Sequence, residues 1–204
     1  MKGKKELEET ISKLKEKLKT AKELTPTRGI ETMFRTTAKN HMELSAIADN
    51  KANIMISINS IILSVMVSVL IRNLDRYPYF TIPSILLTAV CLTTIVFAVL
   101  ATRPHVTSGK FDKEDIVNKK ANLLFFGNFH RMSLEDYHWG MMQMLKDGDY
   151  LYGSMIKDIY FLGVVLGKKY RLLRFSYTIF MYGFVLSIIG FIVAQLATRG
   201  ANVY

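Results

Sequence analysis

The residues best suited to bind a small ligand are aromatic rings and cations that lie together in the second half of the chain. Rings stack on planar bases and cations bind phosphate, so this composition suits a nucleotide. A second interpretation, favoured by composition alone, is that the rings form a small hydrophobic core and the cations mark a membrane surface. The residues concerned are Phe125, Phe126, Phe129, Arg131, Tyr137, Trp139, Lys168, Lys169, Tyr170 and Arg171.

Patterns typical of catalysis are not found. The sequence has no glycine-rich GK[ST] loop, no HExxH and no GxSxG. His130 and His138 are eight positions apart, which on a continuous helix separates them by about 12 Å, too far to share one metal ion. Cys91 is the one cysteine and lies in an apolar run, so no disulfide framework or thiol metal site is indicated. We expect no enzyme activity, no metal and no cofactor.

Three long uncharged runs form the framework that positions the candidate ligand-binding residues. They are residues 52–71, 77–102 and 175–198, of 20, 26 and 24 residues. A helix rises about 1.5 Å per residue and the hydrocarbon core of a bilayer is about 30 Å thick, so each run can span a membrane. The first run follows a long polar segment, unlike a cleavable signal peptide. The sequence predicts an all-α membrane protein with three transmembrane helices and cytoplasmic helical extensions.

The distribution of positive charge predicts the orientation of these spans. Lysine and arginine number 12 in residues 1–51, 2 in residues 72–76, 12 in residues 103–174 and 1 at position 199. The first and third segments together hold 24 of the 27 cations, which the positive-inside rule places in the cytoplasm. We expect a multi-pass protein of the bacterial inner membrane with a cytoplasmic N-terminus and an outer tail at residues 199–204. The net charge of +10 is interpreted as topology and not as nucleic-acid binding.

The segments outside the spans have helical patterns as well. Residues 1–24 carry an apolar seam that predicts either a coiled coil or a solvated charged helix; the seam residues are Leu7, Ile11, Leu14, Leu18 and Ala21. Residues 25–51 form a stalk, which after a break at residues 25–29 suits a helix that continues into the first span. Residues 103–174 form a helical loop, with a helix N-cap at Ser133 and a break at residues 147–149.

Small and polar residues form stripes along two of the spans. The first span has Asn53, Ser57, Ser60, Ser64 and Ser68 at intervals that put them on one helix face. This face either packs against other helices or lines water when subunits rearrange. The third span has Gly183, Ser187, Gly190 and Ala194, which favour close helix contact. No charged residue lies deep in a span, so an ion-coupled transporter is not indicated, and any pore requires oligomerisation.

Three segments, HMELSAIADNKANIMISINSIILS, NLLFFGNFHRM and DIYFLGVVLGKKYRLLRFSY, resemble the transmembrane effector family of Pycsar, the bacterial pyrimidine-cyclase antiphage system. The resemblance covers roughly residues 35–200 and implies a partner cyclase that makes cyclic CMP or cyclic UMP during infection. It further implies a non-enzymatic effector that senses this messenger and disrupts the inner membrane, causing abortive infection. The resemblance is carried by Asp49, Lys51, Ala52, Asn53, Asn59, Asp158, Tyr160, Gly163, Lys168, Lys169 and Tyr170.

A hypothesis for the ligand site follows from charge and location. Cytoplasmic cations are expected to hold the phosphate, while Asn128 and Asp158 meet the base or the ribose hydroxyls. We also expect a homo-oligomer. The alternative function is a membrane scaffold whose cytoplasmic helices dock a partner protein without a small-molecule ligand. The cations are Lys39, Lys51, Arg131, Lys168, Lys169 and Arg171.

Overall fold

The computed structural model of the chain describes residues 10–16, 27–70, 78–104 and 113–201. Within these ranges the protein consists of helices and connecting turns and contains no strand. Residues 10–16 are helical, but the rest of the predicted N-terminal seam lies outside the described residues. The short connection between the first two spans and most of the predicted outer tail also lie outside them.

The described residues form six α-helices from residue 27 onward. A π-helical turn, Met66–Leu70, follows the first helix, and a 3-10 turn, Pro78–Phe80, leads into the second. The helices are α1 (Thr27–Val65), α2 (Thr81–Thr102), α3 (Lys113–Val117), α4 (Phe126–Phe129), α5 (Leu134–Lys146) and α6 (Gly148–Ala201).

Three helical stretches are long and apolar enough to cross a membrane: Arg28–Ser68, Pro78–Thr102 and Gly148–Arg199. They cover all but the last three residues of the first predicted span, all but the first residue of the second, and the whole of the third, so the predicted fold class is confirmed. Helix α6 has 54 residues and is therefore about 81 Å long, far more than the roughly 30 Å of hydrocarbon. The predicted third span is its C-terminal part, and the preceding residues 148–174 continue the same helix without a break.

The chain divides into two compact units, Met1–Lys39 and Asn40–Tyr204. In the larger unit α1, α2 and α6 pack around two apolar clusters. The first apolar cluster consists of Ala48, Ala52, Met55, Ala98 and Leu173. The second is built on Met66, Leu87 and Cys91, with Ile62, Leu63, Phe184 and Phe191 packed against them.

Glycines bring α2 and α6 into close contact. A Cβ added to Gly183 would lie 2.3 Å from Val90 Cγ2, and one added to Gly190 would lie 3.2 Å from Pro83 Cβ. Ser187 of the same stripe is fully buried. The small residues predicted for close helix contact therefore meet α2, because each missing side chain leaves room for a residue of that helix.

Helices α3, α4 and α5, together with the first turns of α6, form a lobe between the second and third spans, here called the interspan lobe. Its core consists of Ile116, Ala121, Leu123, Met144 and Tyr150. A Cβ on Gly140 of α5 would lie 2.7 Å from Leu123 Cδ1, so α5 packs directly on this core.

The helix boundaries of the interspan lobe are set by capping side chains. Ser133 Oγ accepts a hydrogen bond from the Asp136 backbone N–H at 3.1 Å, so the predicted N-cap of α5 is confirmed. Asp147 separates α5 from α6, and its Oδ1 accepts from the Tyr150 N–H at 3.0 Å. The predicted break at residues 147–149 thus lies at the junction of two helices.

Candidate functional site

An ion pair joins α1 to α6 beside the first apolar cluster. Lys169 Nζ lies 2.8 Å from Asp49 Oδ1 and 2.9 Å from Asp49 Oδ2, and it also donates to Ser45 Oγ at 2.9 Å. The Lys169 side chain is 14% exposed and the Asp49 side chain 40%. One residue further, the Tyr170 hydroxyl donates to the Leu44 carbonyl at 3.2 Å. These bonds fix the register between the two helices.

The six cations predicted to hold a phosphate differ in exposure. Lys169 is largely covered by α1, whereas Lys39, Lys51, Arg131, Lys168 and Arg171 are exposed. Lys168 and Arg171 lie on other faces of α6 than Lys169, since successive helical residues are about 100° apart. An anion that binds Lys169 must therefore compete with Asp49, while the exposed cations remain accessible to solvent or lipid headgroups.

Asn122 connects the two side chains that the sequence assigned to the base or ribose. Its carbonyl accepts from Asn128 Nδ2 at 2.7 Å, and its side chain hydrogen-bonds the carboxyl group of Asp158. Asn122 is itself buried, and its Oδ1 accepts from the Leu124 N–H at 3.1 Å. Asn128 of α4 and Asp158 of α6 are thus brought together, although Asn122 itself was not predicted. Its only sequence signal is its place at the start of the quoted segment NLLFFGNFHRM.

Three polar residues of α6 follow one another at four-residue intervals, and two of them contact the segment that contains Asn122. The Tyr150 hydroxyl donates to the Ala121 carbonyl at 2.7 Å, and Asp158 bonds Asn122. Ser154 is between them on the same helix face and is 1% exposed. Its Oγ has no hydrogen-bond partner among the described residues. This face therefore carries one free hydroxyl next to the Asn122–Asp158 pair.

Burial changes the pKa of Asp158. Desolvation raises the pKa of its carboxyl group above the ordinary value, and the hydrogen bond from Asn122 partly opposes this shift. A carboxyl and an amide held side by side offer both donors and acceptors, which is what recognition of a pyrimidine edge or a ribose hydroxyl requires. A second carboxyl group of the lobe is ion-paired, since Lys119 Nζ lies 2.5 Å from Asp147 Oδ2. The hydrogen bond from Lys119 lowers the pKa of Asp147.

The aromatic residues of the interspan lobe divide between its core and its surface. Tyr137 and Trp139 pack against the lobe core, and the rings of Phe129 and Tyr137 are 4.6 Å apart. Phe126 is exposed and contacts Phe125, with ring centroids 5.0 Å apart. Core packing therefore accounts for Tyr137 and Trp139, and Phe126 remains available for stacking.

The polar stripe of α1 faces away from α2 and α6. Its five members, Asn53, Ser57, Ser60, Ser64 and Ser68, are all exposed. The opposite face of α1 carries the buried residues of the two apolar clusters. Because this stripe lies along a membrane-spanning helix, it is directed at lipid or at another protein chain.

Comparisons with known proteins identify the family. A scan against protein families matches residues 32–194 to the Pycsar effector protein domain. Searches of curated proteins and of solved structures found no match. The matched region covers most of the chain, including most of α1, all of α2, the interspan lobe and the Asp49–Lys169 pair. The chain therefore belongs to the Pycsar effector protein family and is an antiphage effector of that membrane-spanning type.

Proposed function

We propose that the protein senses a cyclic pyrimidine mononucleotide, cyclic CMP or cyclic UMP, which a partner cyclase makes during phage infection, and then disrupts the inner membrane. Infected cells die before the phage is released. The observation that carries this proposal is the continuity of α6. One helix holds Asp158 and Lys169 and then continues into the third predicted span, so a ligand bound beside these residues acts directly on a membrane helix.

The ligand site faces the cytoplasm in this proposal. The N-terminus and the interspan lobe carry most of the positive charge, which supports a cytoplasmic location for both. The Asn122–Asp158 pair and Asn128 recognise the base or ribose. Lys169 receives the phosphate, assisted by exposed cations such as Lys168 and Arg171.

Energetics favour several ligand sites in one assembly. Moving a population from 1:99 to 99:1 requires about 5.5 kcal/mol of differential binding. A single phosphate contact supplies less, since a hydrogen bond to a charged group contributes about 1.5–3 kcal/mol. We therefore infer a homo-oligomer in which bound ligands act together. The exposed polar stripe of α1 provides a subunit contact within the membrane, and its rearrangement admits water.

Two measurements on the purified full-length protein test this function. The first is calorimetric titration in mild detergent with cyclic CMP, cyclic UMP, cyclic AMP and cyclic GMP. The second is dye release from vesicles that contain the protein, with and without each nucleotide. We expect one pyrimidine nucleotide to bind and to trigger release, while the purine nucleotides do neither. Absence of binding by all four nucleotides would reject the sensing function.

The scaffold function has one specific observation in its favour. Tyr160 and Phe161 of α6 are 65% and 58% exposed, and their rings contact each other edge to face at 5.5 Å. Exposed aromatic residues outside a span are common at protein contacts. A protein that binds no nucleotide, yet loses in vivo protection when Tyr160 and Phe161 are replaced by Ser, would favour the scaffold.

A further inference from the structure

A buried polar layer lies inside the membrane-spanning helices. It consists of Asn59 of α1, Thr94 of α2 and Ser176 of α6, each of which is 0% exposed. Ser176 Oγ donates a hydrogen bond to the Thr94 carbonyl at 3.0 Å, which joins two of the helices.

The helical register places all three residues at one level. Asn59 is one turn beyond Met55, and Thr94 is one turn before Ala98, both of the first apolar cluster. On the far side, Cys91 of α2 belongs to the second apolar cluster. The polar layer is therefore enclosed between two apolar clusters and has no contact with bulk water.

Two atoms of the layer lack a partner. Asn59 Nδ2 donates to the Met55 carbonyl at 2.8 Å, but Asn59 Oδ1 and Thr94 Oγ1 have no hydrogen-bond partner among the described residues. Unpaired buried polar atoms are rare because they lose hydration without replacement. Ser187 shows the usual solution, since its equally buried hydroxyl donates to the Gly183 carbonyl of its own helix at 2.7 Å.

The chemistry of the two atoms selects the ligand. Asn59 Oδ1 needs a donor, and the Thr94 hydroxyl can donate or accept. A metal cation would be uncompensated, because the predicted spans contain no carboxylate and Asp49 is already bound to Lys169. A water molecule is neutral and satisfies both atoms. We propose that the polar layer is an internal water-binding site, in which one water bridges Asn59 Oδ1 and Thr94 Oγ1.

The site also marks where the bundle admits water on activation, a role that rests on the proposed membrane-disrupting function. Separating the helices at an apolar cluster exposes side chains that water does not favour. Separating them at the polar layer exposes groups that already bind water. Opening therefore starts at this level and spreads to the apolar clusters on either side.

The water site is tested by whether the stability losses caused by changes at Asn59 and at Thr94 add up. The single changes Asn59→Leu and Thr94→Val each remove one partner of the water, and we expect each to lower the thermal midpoint in detergent by about 2–4 °C. The double change replaces the whole site by apolar groups, so its loss is smaller than the sum of the single losses. Ser187→Ala is the control and should be additive with Thr94→Val. Additive losses for Asn59→Leu and Thr94→Val would overturn the proposal.

Nuclear magnetic resonance distinguishes a bridging water from a direct contact of the two side chains. In protein labelled at threonine methyl groups, Thr94 should give a cross-peak to water. Thr93 is the control, since it is exposed on the same helix and its hydroxyl donates to the Ala89 carbonyl at 2.7 Å. A Thr94 cross-peak no stronger than that of Thr93 would overturn the water site.

The role in opening has its own measurement. If cyclic nucleotide triggers dye release by the parent, the Asn59→Leu/Thr94→Val variant should bind nucleotide with parental affinity and release dye about 5- to 30-fold more slowly. Parental release rates in this variant would overturn the role in opening. If the parent itself does not respond to nucleotide, the proposed function fails, while the coupling and the water cross-peak still decide the water site.

Discussion

Lys169 and Asp49 are 120 positions apart in the chain, yet both carboxylate oxygens of Asp49 lie within 2.9 Å of Lys169 Nζ. The lysine is the more buried partner. Water therefore compensates the lysine charge less than the carboxylate charge if the pair is broken. In the proposed function, a ligand phosphate replaces Asp49 at Lys169 and frees α1 from this bond to α6.

Replacing Asp49 by Asn should destabilise the protein, because it leaves the Lys169 ammonium group without a counter-charge. We expect a loss of about 1–2 kcal/mol, less than for a fully buried pair because Asp49 is partly screened by solvent. Lys169→Met removes the charge but keeps an apolar chain of similar length, and should cost less. Denaturant unfolding in mild detergent measures both losses. An Asp49→Asn variant as stable as the parent would show that the pair contributes little.

Nucleotide affinity should distinguish Lys169 from Arg131. If Lys169 receives the phosphate, Lys169→Ala weakens binding by less than the about 1.5–3 kcal/mol of a new charged hydrogen bond, because the phosphate must first displace Asp49. Arg131 is exposed in the turn between α4 and α5, and Arg131→Ala should have a smaller effect if it contacts the phosphate only through solvent. Calorimetric titration measures both, after protease accessibility has verified the orientation of each variant. Equal affinity of Lys169→Ala and parent would remove Lys169 from the site.

A methyl group added at Gly183 should separate α2 from α6. The new Cβ would lie 2.3 Å from Val90 Cγ2, so Gly183→Ala forces a shift that costs about 1–3 kcal/mol. Val90→Ala in the same chain removes the clashing methyl groups and should restore part of the loss. Thermal unfolding of the parent, both single variants and the double variant measures this. A Gly183→Ala variant with parental stability would contradict the close contact.

The pH dependence of stability should reveal Asp158. Because its pKa is raised in the folded protein, the folded state binds more protons than the unfolded state above the ordinary pKa of 3.8. Its contribution to stability is therefore complete below that pH and is lost as the pH rises through the folded pKa. Asp158→Asn should remove this loss, and the thermal midpoint of the variant should fall less than that of the parent as the pH is raised from 4 toward neutrality.

Asp147 provides a control of opposite sign. Its pKa is lowered from 3.8 by the hydrogen bond from Lys119, so its contribution is present above that pH and is lost on acidification. Asp147→Asn should therefore change the pH profile on its acidic side. Identical profiles for Asp158→Asn and the parent would show that Asp158 has an ordinary pKa.

Bulky residues on the polar stripe of α1 should block membrane disruption without affecting the ligand site. Ser60 and Ser64 are exposed on α1, away from α2 and α6, so Ser60→Leu and Ser64→Leu leave the packing of a single chain intact. If the stripe forms a subunit contact, both changes abolish dye release and leave nucleotide affinity near the parental value. Ile61→Leu, at a neighbouring exposed apolar position, is the control. Parental dye release by both serine variants would exclude the stripe from the mechanism.

Features with a local period could be predicted from the sequence. The three spans follow from uninterrupted apolar runs, the Ser133 cap from its position before acidic residues, and the Gly183 stripe from its helical spacing. Each depends on neighbours within a few turns of one helix, and each agrees with the structure. Local patterns thus specify which segments are helical and which helix faces permit close approach.

Features that depend on which helices meet could not be predicted in this way. Asn59 and Ser60 are adjacent polar residues in one apolar run, yet Asn59 is buried and Ser60 is exposed. Their exposure differs because α2 and α6 cover only one side of α1. The pattern of residues within α1 alone does not specify which side that is. Asn122 was missed for a similar reason, since it lies in the connection before α4 while its partner Asp158 lies on α6. The six cations were selected because they are positively charged and are predicted to lie on the cytoplasmic side. Neither property determines the direction in which each side chain points.

The length of α6 gives the protein a lever. The part that precedes the predicted third span, residues 148–174, extends about 40 Å from it. If this part tilts by about 10° around the membrane boundary, its far end moves by about 7 Å, whereas helix contacts near the boundary move by about an ångström or less. The same geometry also multiplies force. A modest force at the far end of residues 148–174 becomes a larger force at the helix contacts near the membrane boundary. In the proposed function, a ligand that pulls weakly on the interspan lobe thereby separates helices that pack tightly in the bilayer.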